Sequence, residues 1–367
     1  MLHVYRQITG LRRWRPIVIC QKREEAERFP FSDVVRIPKP LTHPLRRILV
    51  KQILGRPVMI YASEVWRISE EIRRVKGRVL HVYFGHIAVQ LLPLLRKPPV
   101  PVVVSFHGAD AMVDLDKPAY REAASEVLQL ARLVLVRSQS LAERLIAVGC
   151  PPEKIRIHRT GIPLERFEFV PREFPTEGAW RFFQACRLIP KKGLHTTLRA
   201  FARFAERYPG SQLVIAGEGP MLEELKAFAA ALGVGDRVQF TGFLSQKEMR
   251  EQFYAAHAFV HPSELGTDGN QEGVPNSMLE GMATGLPALA THHGGIPEAV
   301  DDGVSGFLVD ERDHEALGRA MIELAAEPAR YAAMAAAASR AVAERFEQGR
   351  QIAVLENCYY EAEGEEC

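Results

Sequence analysis

Two carboxylates eight positions apart, Glu272 and Glu280, sit either side of a proline in QEGVPNSMLEGMATGLPALATHHGGIPE. Pro275 suits a helix's first turn because it lacks the N–H that would go unpaired there, so a helix is predicted from Asn276 through Met282. Glu272 then falls in the loop before that helix, and Glu280 lies just over one turn inside it. A helix N-terminus offers free amides and the positive end of a dipole, which suit a diphosphate, and the flanking carboxylates suit hydroxyl groups. A sugar nucleotide has that layout: sugar hydroxyls, phosphates, ribose diol.

Arg187 and Lys192 lie in ACRLIPKKGL, directly after a predicted strand, with Gly193 opening a helix. Two cations at such a turn can neutralise charge developing on a departing nucleoside diphosphate without a metal, although surface salt bridging would look the same. Lys191 could take the place of Lys192, but the residue abutting the glycine is favoured. The GEGP run, Gly217 to Pro220, follows the strand QLVIA. Its glycines let backbone approach a ligand, and they are equally the ordinary chemistry of a tight strand-to-helix turn.

His107 ends the apolar strand of SFHGAD, where an imidazole could hydrogen-bond a sugar hydroxyl; a lone histidine is more often structural. His81 and His86 bracket another strand end, HVYFGH, as candidates for an acceptor wall. Asp114 and Asp116 form a D-L-D pattern that can hold a divalent ion, but acidic pairs near helix starts commonly serve as caps, and no metal is expected. No nucleophilic Ser-His-Asp or Cys-His arrangement has local support.

These residues need elements to hold them. RPIVIC, RVLHVYF, PVVVSFHG, ARLVLVRS and KIRIHRTG read as short strands alternating with helical patterns such as AYREAASEVLQLA, which is the grammar of a parallel sheet with helices on both faces. PREFPTEG, from Pro171 to Gly178, reads as a linker. The pattern restarts with RFFQACR, SQLVIAGEG, RVQFTGF, AFVHPSE, LPALATH and GFLVD, and an alanine-rich helix is predicted over residues 330–345. The expected organisation is an N-terminal domain over 1–172, a C-terminal domain over 173–350, and a helix over 351–367 crossing back to the first domain. Two doubly wound domains would face one another across a cleft at the carboxyl ends of their strands.

The chain has 367 residues, 47% of them hydrophobic and 25% charged, so disorder is excluded as its main state. No signal peptide opens it, and its longest apolar stretch, Ile87 to Leu95, is too short for a span of about 20 residues. Five scattered cysteines without metal or disulfide spacing fit a reducing cytoplasm. Net charge is only +2, yet residues 1–150 carry 25 Lys and Arg against 13 Asp and Glu, a balance of +12, and the remainder 22 against 32, a balance of −10. The first half therefore presents either a solvated basic face or one that meets an anionic membrane surface. No nucleic-acid-binding motif accompanies the charge.

Taken together, FHGAD, TGIPLERF, RLIPKKGL, VIAGEGP, VQFTGF and HPSELGTDGNQEGVPNSMLEGMATGLPALATHHGGIPE resemble, in order and spacing, the family 4 retaining glycosyltransferases of GT-B fold, especially bacterial exopolysaccharide enzymes of the colanic acid type. The resemblance spans most of the chain. It implies that Arg187 and Lys192 grip the donor diphosphate, with the turn Gly217, Glu218 and Gly219 nearby. Glu280 would take the ribose hydroxyls. Glu272, with the backbone of Gly273, Val274 and Asn276, would hold the donor sugar. Gly242, Phe243 and Leu244 would lie beside the base, and His107 near the reacting carbon. The implied reaction is metal-independent transfer of a hexose from a UDP-sugar or GDP-sugar to a glycan or lipid-linked acceptor hydroxyl with retention, without a separate cofactor, in the cytoplasm or on the inner face of the cell membrane. A catalytically silent sugar-nucleotide-binding subunit and a GT-B phosphorylase or epimerase are the alternatives.

One feature departs from the family pattern. Family members open with a strand, but MLHVYRQITGLRRW has apolar positions, Leu2, Tyr5, Ile8 and Leu11, at helical spacing, so the first strand of the N-terminal domain is expected to be missing and the recorded start to be truncated.

Overall fold

Alternating side chains decide how the second half folds. In its sheet, Phe182, Leu213, Ile215 and Val260 pack with Leu198, Phe201, Leu225 and Met321 on one face. Phe183, Val214, Phe259 and Ala288 pack with Phe253, Met278, Leu279 and Val342 on the other. Successive strand residues point to opposite faces, so a sheet apolar on both needs helices on both.

The computed structural model describes residues 2–108, 117–175, 178–266 and 271–364. Its strands are β1 (Val18–Cys20), β2 (Val34–Arg36), β3 (Leu80–Tyr83), β4 (Val102–Phe106), β5 (Leu133–Val136), β6 (Ile155–Ile157), β7 (Arg181–Ala185), β8 (Gln212–Ala216), β9 (Val238–Gly242), β10 (Ala258–His261), β11 (Ala288–Thr291) and β12 (Gly306–Val309). They fall into two compact units, Met1–Gly161 with Gly349–Cys367, and Ile162–Gln348.

The unit boundary lies upstream of the expected break at 172. Ile162 exchanges backbone hydrogen bonds with Phe346 and Gln348 at 2.7 and 3.0 Å, and Phe167 is buried in the second core. The expected linker also packs on the second unit. Phe174 meets Trp180 and Tyr331 edge-on, and Arg172 donates to the carbonyls of Tyr254 and Thr284. Its prolines and charges mark an extended surface strap rather than a joint.

In the first unit β3 to β6 pair in sequence order, all parallel, while β1 and β2 form a ladder of their own. The strands of this unit are therefore split between two parallel ladders. The residues before β1 form a helix, Leu2–Gly10, as their spacing predicts, and among the described residues no strand links β1 to β3. One face of β4 and β5 is covered by the helices Pro118–Leu130 and Gln139–Ala147. The other face, Val103, Leu133 and Leu135, is covered by Leu355, Cys358, Tyr359 and Ala362 of the terminal helix Gln348–Glu363. That helix is pinned by Glu356, which accepts from the backbone of Arg12 and Arg13 at 2.7 and 2.6 Å and from the Arg13 side chain at 2.9 Å.

The second sheet has the order β12-β11-β10-β7-β8-β9, every pair parallel. From β7 the chain winds outward to β9, then returns to β10 on the other side. The β7/β10 junction is thus the topological switch point, where the loops leaving the strands diverge and leave room for a ligand.

Candidate active site

Both strands at that junction deliver charge from their carboxyl ends. After β7, a short turn Pro190–Lys192 with Gly193 in the left-handed conformation presents Lys191 and Lys192. After β10 comes the loop to Glu272, followed by the helix Asn276–Ala283, where Pro275 occupies the cap and not the first helical position. Ser277 ties the start of this helix to the end of β7, donating to the Ala185 carbonyl at 2.8 Å.

Glu272 receives both lysines: its Oε1 lies 2.6 Å from Lys192 Nζ and 3.2 Å from Lys191 Nζ, and all three side chains are nearly buried. Burial alone would raise the Glu272 pKa. The field of Lys192, His261 and Lys191, with the Lys192 hydrogen bond, outweighs it and brings the value down to about 2. The group is therefore ionised at neutral pH. Two ammonium groups thus converge on one ionised carboxylate at the carboxyl ends of β7 and β10, a set of charged side chains that can meet an anion. Arg187 stands exposed between β7 and the lysines, and its guanidinium pairs with no described residue. Glu280 is buried in the helix.

The Glu272 loop is held by residues that the sequence reading passed over. The Glu272 backbone N–H donates to His293 Nε2 at 3.0 Å, so His293 carries its proton on Nδ1 and donates to Glu311 Oε1 at 2.6 Å. The other Glu311 oxygen accepts from the Leu265 N–H at 2.7 Å, clasping both ends of the same loop. The adjacent Gly294, at φ +55°, is required by contact: a Cβ there would stand 2.2 Å from the Glu272 carbonyl oxygen. The run HHGG is a local pattern that could have marked His293; its partner Glu311 has no local signal. His261, wholly buried beside this cluster, has its pKa lowered to about 3 by burial and by Lys192.

Gly217, at φ +130°, lies against the β7 turn, where a Cβ would stand 1.9 Å from the Cys186 carbonyl oxygen. The packing of two strand-to-helix turns thus explains this glycine by itself. Gly219 and Glu218 continue the turn, and the Glu218 carbonyl accepts from the Leu188 N–H at 2.9 Å. Gly242 ends β9 and accepts from the Gly217 N–H at 2.8 Å; the next residue, Phe243, is 66% exposed, with Leu244 partly buried behind it. Gly273, Val274 and Asn276 are half-buried between Glu272 and the helix.

The first unit holds His107 in a separate buried cluster. Arg137, directly after β5, donates to His107 Nδ1 from Nε and Nη2 at 3.3 and 3.2 Å, and to the carbonyls of His158 and Arg159. His3 Nε2 lies 3.1 Å from the same His107 nitrogen, so Nδ1 is the acceptor and the proton sits on Nε2. With the Gln7 amide turned to accept, its oxygen stands 2.8 and 3.0 Å from the guanidinium. Burial, with Arg137 beside it, holds the His107 pKa far below its ordinary value. Phe84, at φ +76°, rests its ring 4.5 Å from that of His107. His81 is occupied structurally, between Tyr359 Oη at 2.7 Å and Ser105 Oγ at 2.6 Å, while His86 is exposed. Asp114 and Asp116 lie outside the described residues.

Comparison with known proteins places this arrangement. Residues 166–341 match the model of the glycosyl transferases group 1, and residues 2–166 match that of glycosyltransferase family 4. A GDP-mannose-dependent alpha-(1-6)-phosphatidylinositol monomannoside mannosyltransferase of Mycolicibacterium smegmatis is 31% identical over 74% of this chain and 74% of its own.

The chain belongs to the group 1 and family 4 glycosyltransferases.

Among its family relatives, the amylovoran biosynthesis glycosyltransferase AmsK of Erwinia amylovora is 32% identical over 74% of this chain and 67% of its own. The putative colanic acid biosynthesis glycosyltransferase WcaL of Salmonella typhimurium is 33% identical over 60% of this chain, a match spanning about half (54%) of the relative's length. Among solved structures, Anabaena HepE in complex with UDP and glucose superposes with a TM-score of 0.76 at 18% identity, covering 97% of this chain and 94% of its own. The two parallel α/β units are those of the GT-B fold.

Proposed function

We propose that this glycosyltransferase moves a hexose from a UDP-sugar or GDP-sugar to an acceptor hydroxyl of an exopolysaccharide or lipid-linked glycan, with retention and without a metal, in the cytoplasm at the inner face of the membrane. The observation that carries the reading is the Lys191–Glu272–Lys192 cluster at the switch point of the second sheet. Lys192 and the exposed Arg187 take the diphosphate, and their fixed positive charge supports metal independence. Glu280 takes the ribose diol, and Phe243 stacks on the base, with the Gly217–Gly219 turn beside the phosphates. Glu272 and the backbone of Gly273, Val274 and Asn276 hold the sugar. The UDP bound by HepE and the GDP-mannose named for the mycobacterial relative are the two donor classes this site is proposed to take.

In the proposed step the bond from the anomeric carbon to the phosphate oxygen breaks, and the acceptor oxygen bonds to that carbon on the same face. The acceptor proton goes to the leaving phosphate, whose growing charge Lys192 and Arg187 stabilise. His107, neutral and protonated on Nε2, is a hydrogen-bond donor and not a base, which supports positioning of a sugar hydroxyl. Turnover of a panel of UDP-sugars and GDP-sugars, followed by NMR of the new anomeric centre with and without EDTA, tests all three parts. Retained configuration and an EDTA-insensitive rate are expected; inversion, or loss of activity in EDTA restored by a divalent ion, refutes the corresponding part.

A further inference from the structure

We infer that the segment Leu41–Arg56 is a docking element that lays apolar side chains into an anionic phospholipid surface. The inference rests on the membrane location in the reading above and names the part of the chain that makes the contact. Six of the fifteen exposed large hydrophobic residues among the described residues, Leu41, Leu45, Ile48, Leu49, Ile53 and Leu54, fall in this one stretch, each between 49% and 100% exposed. Single exposed apolar residues need no explanation, but a contiguous group marks a contact surface.

The segment is helical, His43–Arg47 continuing into a wider turn over Ile48–Ile53, and buries none of its residues. It is attached to the first unit by polar contacts at its base. The Arg46 guanidinium lies 4.1 Å from the centroid of the Tyr61 ring, Thr42 Oγ1 lies 3.2 Å from Tyr61 Oη, and Tyr120 Oη reaches the Arg56 carbonyl.

Charge identifies the occupant. Between Asp33 and Glu64 the chain has no acidic residue, yet it carries Arg36, Lys39, Arg46, Arg47, Lys51 and Arg56 among the apolar ones. A helix that sets exposed aliphatic side chains among basic ones fits the boundary between phosphate headgroups and acyl chains. A second copy of the chain fits poorly, because a two-fold contact would set the same basic residues against each other. The helical stretch is too short to span a bilayer, which takes about 20 apolar residues, so it lies in the interface.

The test is co-sedimentation of the full chain with phosphatidylcholine vesicles made with and without phosphatidylglycerol, alongside thermal shifts with UDP and GDP. Binding to the anionic vesicles only is expected, weakening as salt rises from roughly 0.1 to 0.5 M. The triple variant Leu45→Ser, Ile48→Ser, Leu49→Ser should partition about tenfold or more less well while keeping the nucleotide shift. Three results overturn the assignment: no vesicle binding by wild type, equal binding by the variant, or a dimer in light scattering that the variant converts to monomer without any vesicle binding. A nucleotide shift alongside any of these leaves the transferase reading standing. Vesicle binding lost in the variant, with no nucleotide shift in wild type, supports the docking element and counts against the donor site.

Discussion

The buried polar clusters of the two units use charge in opposite ways. In the second unit, Glu272 is ionised between two lysines, and its loop is clasped by His293 and Glu311. In the first, the Arg137 guanidinium meets His107 and His158, with His3 bonded to His107, and all three histidines are held neutral by burial. An ion cluster has charge to offer an incoming anion at any ordinary pH. A set of neutral imidazoles offers hydrogen-bond directions and no proton transfer near neutrality. In the proposed reaction the difference assigns leaving-group stabilisation to the second unit and placement of hydroxyls to the first.

The largest expected contrast is in acid. A histidine whose folded pKa lies below its ordinary value of about 6.5 contributes stability that is fully present above that value and is lost as pH falls toward the folded pKa. His3 and His81 have folded values of about 3, and His107 and His158 are also displaced downward. His3 and His81 should each withdraw about 2 kcal/mol of stability by pH 5, at about 1.4 kcal/mol per pH unit, and His107 and His158 act in the same direction. The second unit has two such groups, His257 at about 4 and His261 at about 3, and its Glu272 keeps its contribution until pH falls below about 4.5 toward 2. Hydrogen exchange of the full chain at pH 7, 6 and 5, corrected for intrinsic rates, should show protection falling first and further in β3 to β6. Equal loss in both sheets would break the comparison.

Next is Lys192→Ala, expected to lower kcat/KM about 10²- to 10³-fold, the range for removing a donor to developing negative charge. Lys191→Ala, farther from Glu272, should cost about tenfold, and steady-state kinetics on both variants measures the asymmetry. His293→Ala removes the partner of the Glu272 N–H and leaves Glu311 Oε1 without its histidine donor. A loss of about 1–3 kcal/mol in urea unfolding is expected, together with a raised KM for the donor. Smallest is Phe243→Ala: an exposed ring should add little to stability, and losing its stacking, worth about 1 kcal/mol, should raise donor KM roughly fivefold.

The second unit was the more legible of the two because its candidate site residues sit in short local patterns. Lys192 abuts a turn glycine, and Glu272 precedes a proline-marked helix; β7 to β12 are apolar runs bounded by turn residues. What escaped was long-range. Glu311 follows the last strand of the sheet and meets His293 only after folding. His3 reaches His107, and Gln7 reaches Arg137, from a helix whose periodicity says where it forms and nothing about what it touches. Arg137 itself, an arginine directly after four buried strand residues, was a local signal of a buried charge that the strand pattern masked. β2 went unread because its three residues run straight into Pro38 and Pro40, which read as loop. The unit boundary was displaced because prolines and charges suit a surface strap as well as a linker.

The most direct test of the donor site in the second unit is a thermal-shift panel of UDP, GDP, ADP and their sugar conjugates on wild type, Lys192→Ala and Glu280→Ala. A ligand that binds only the folded state raises the midpoint with its saturation. The account predicts a shift with UDP or GDP and its conjugates that disappears in both variants. A shift that survives in both variants would contradict it by placing the nucleotide elsewhere, and so would no shift with any nucleotide on a folded wild-type protein.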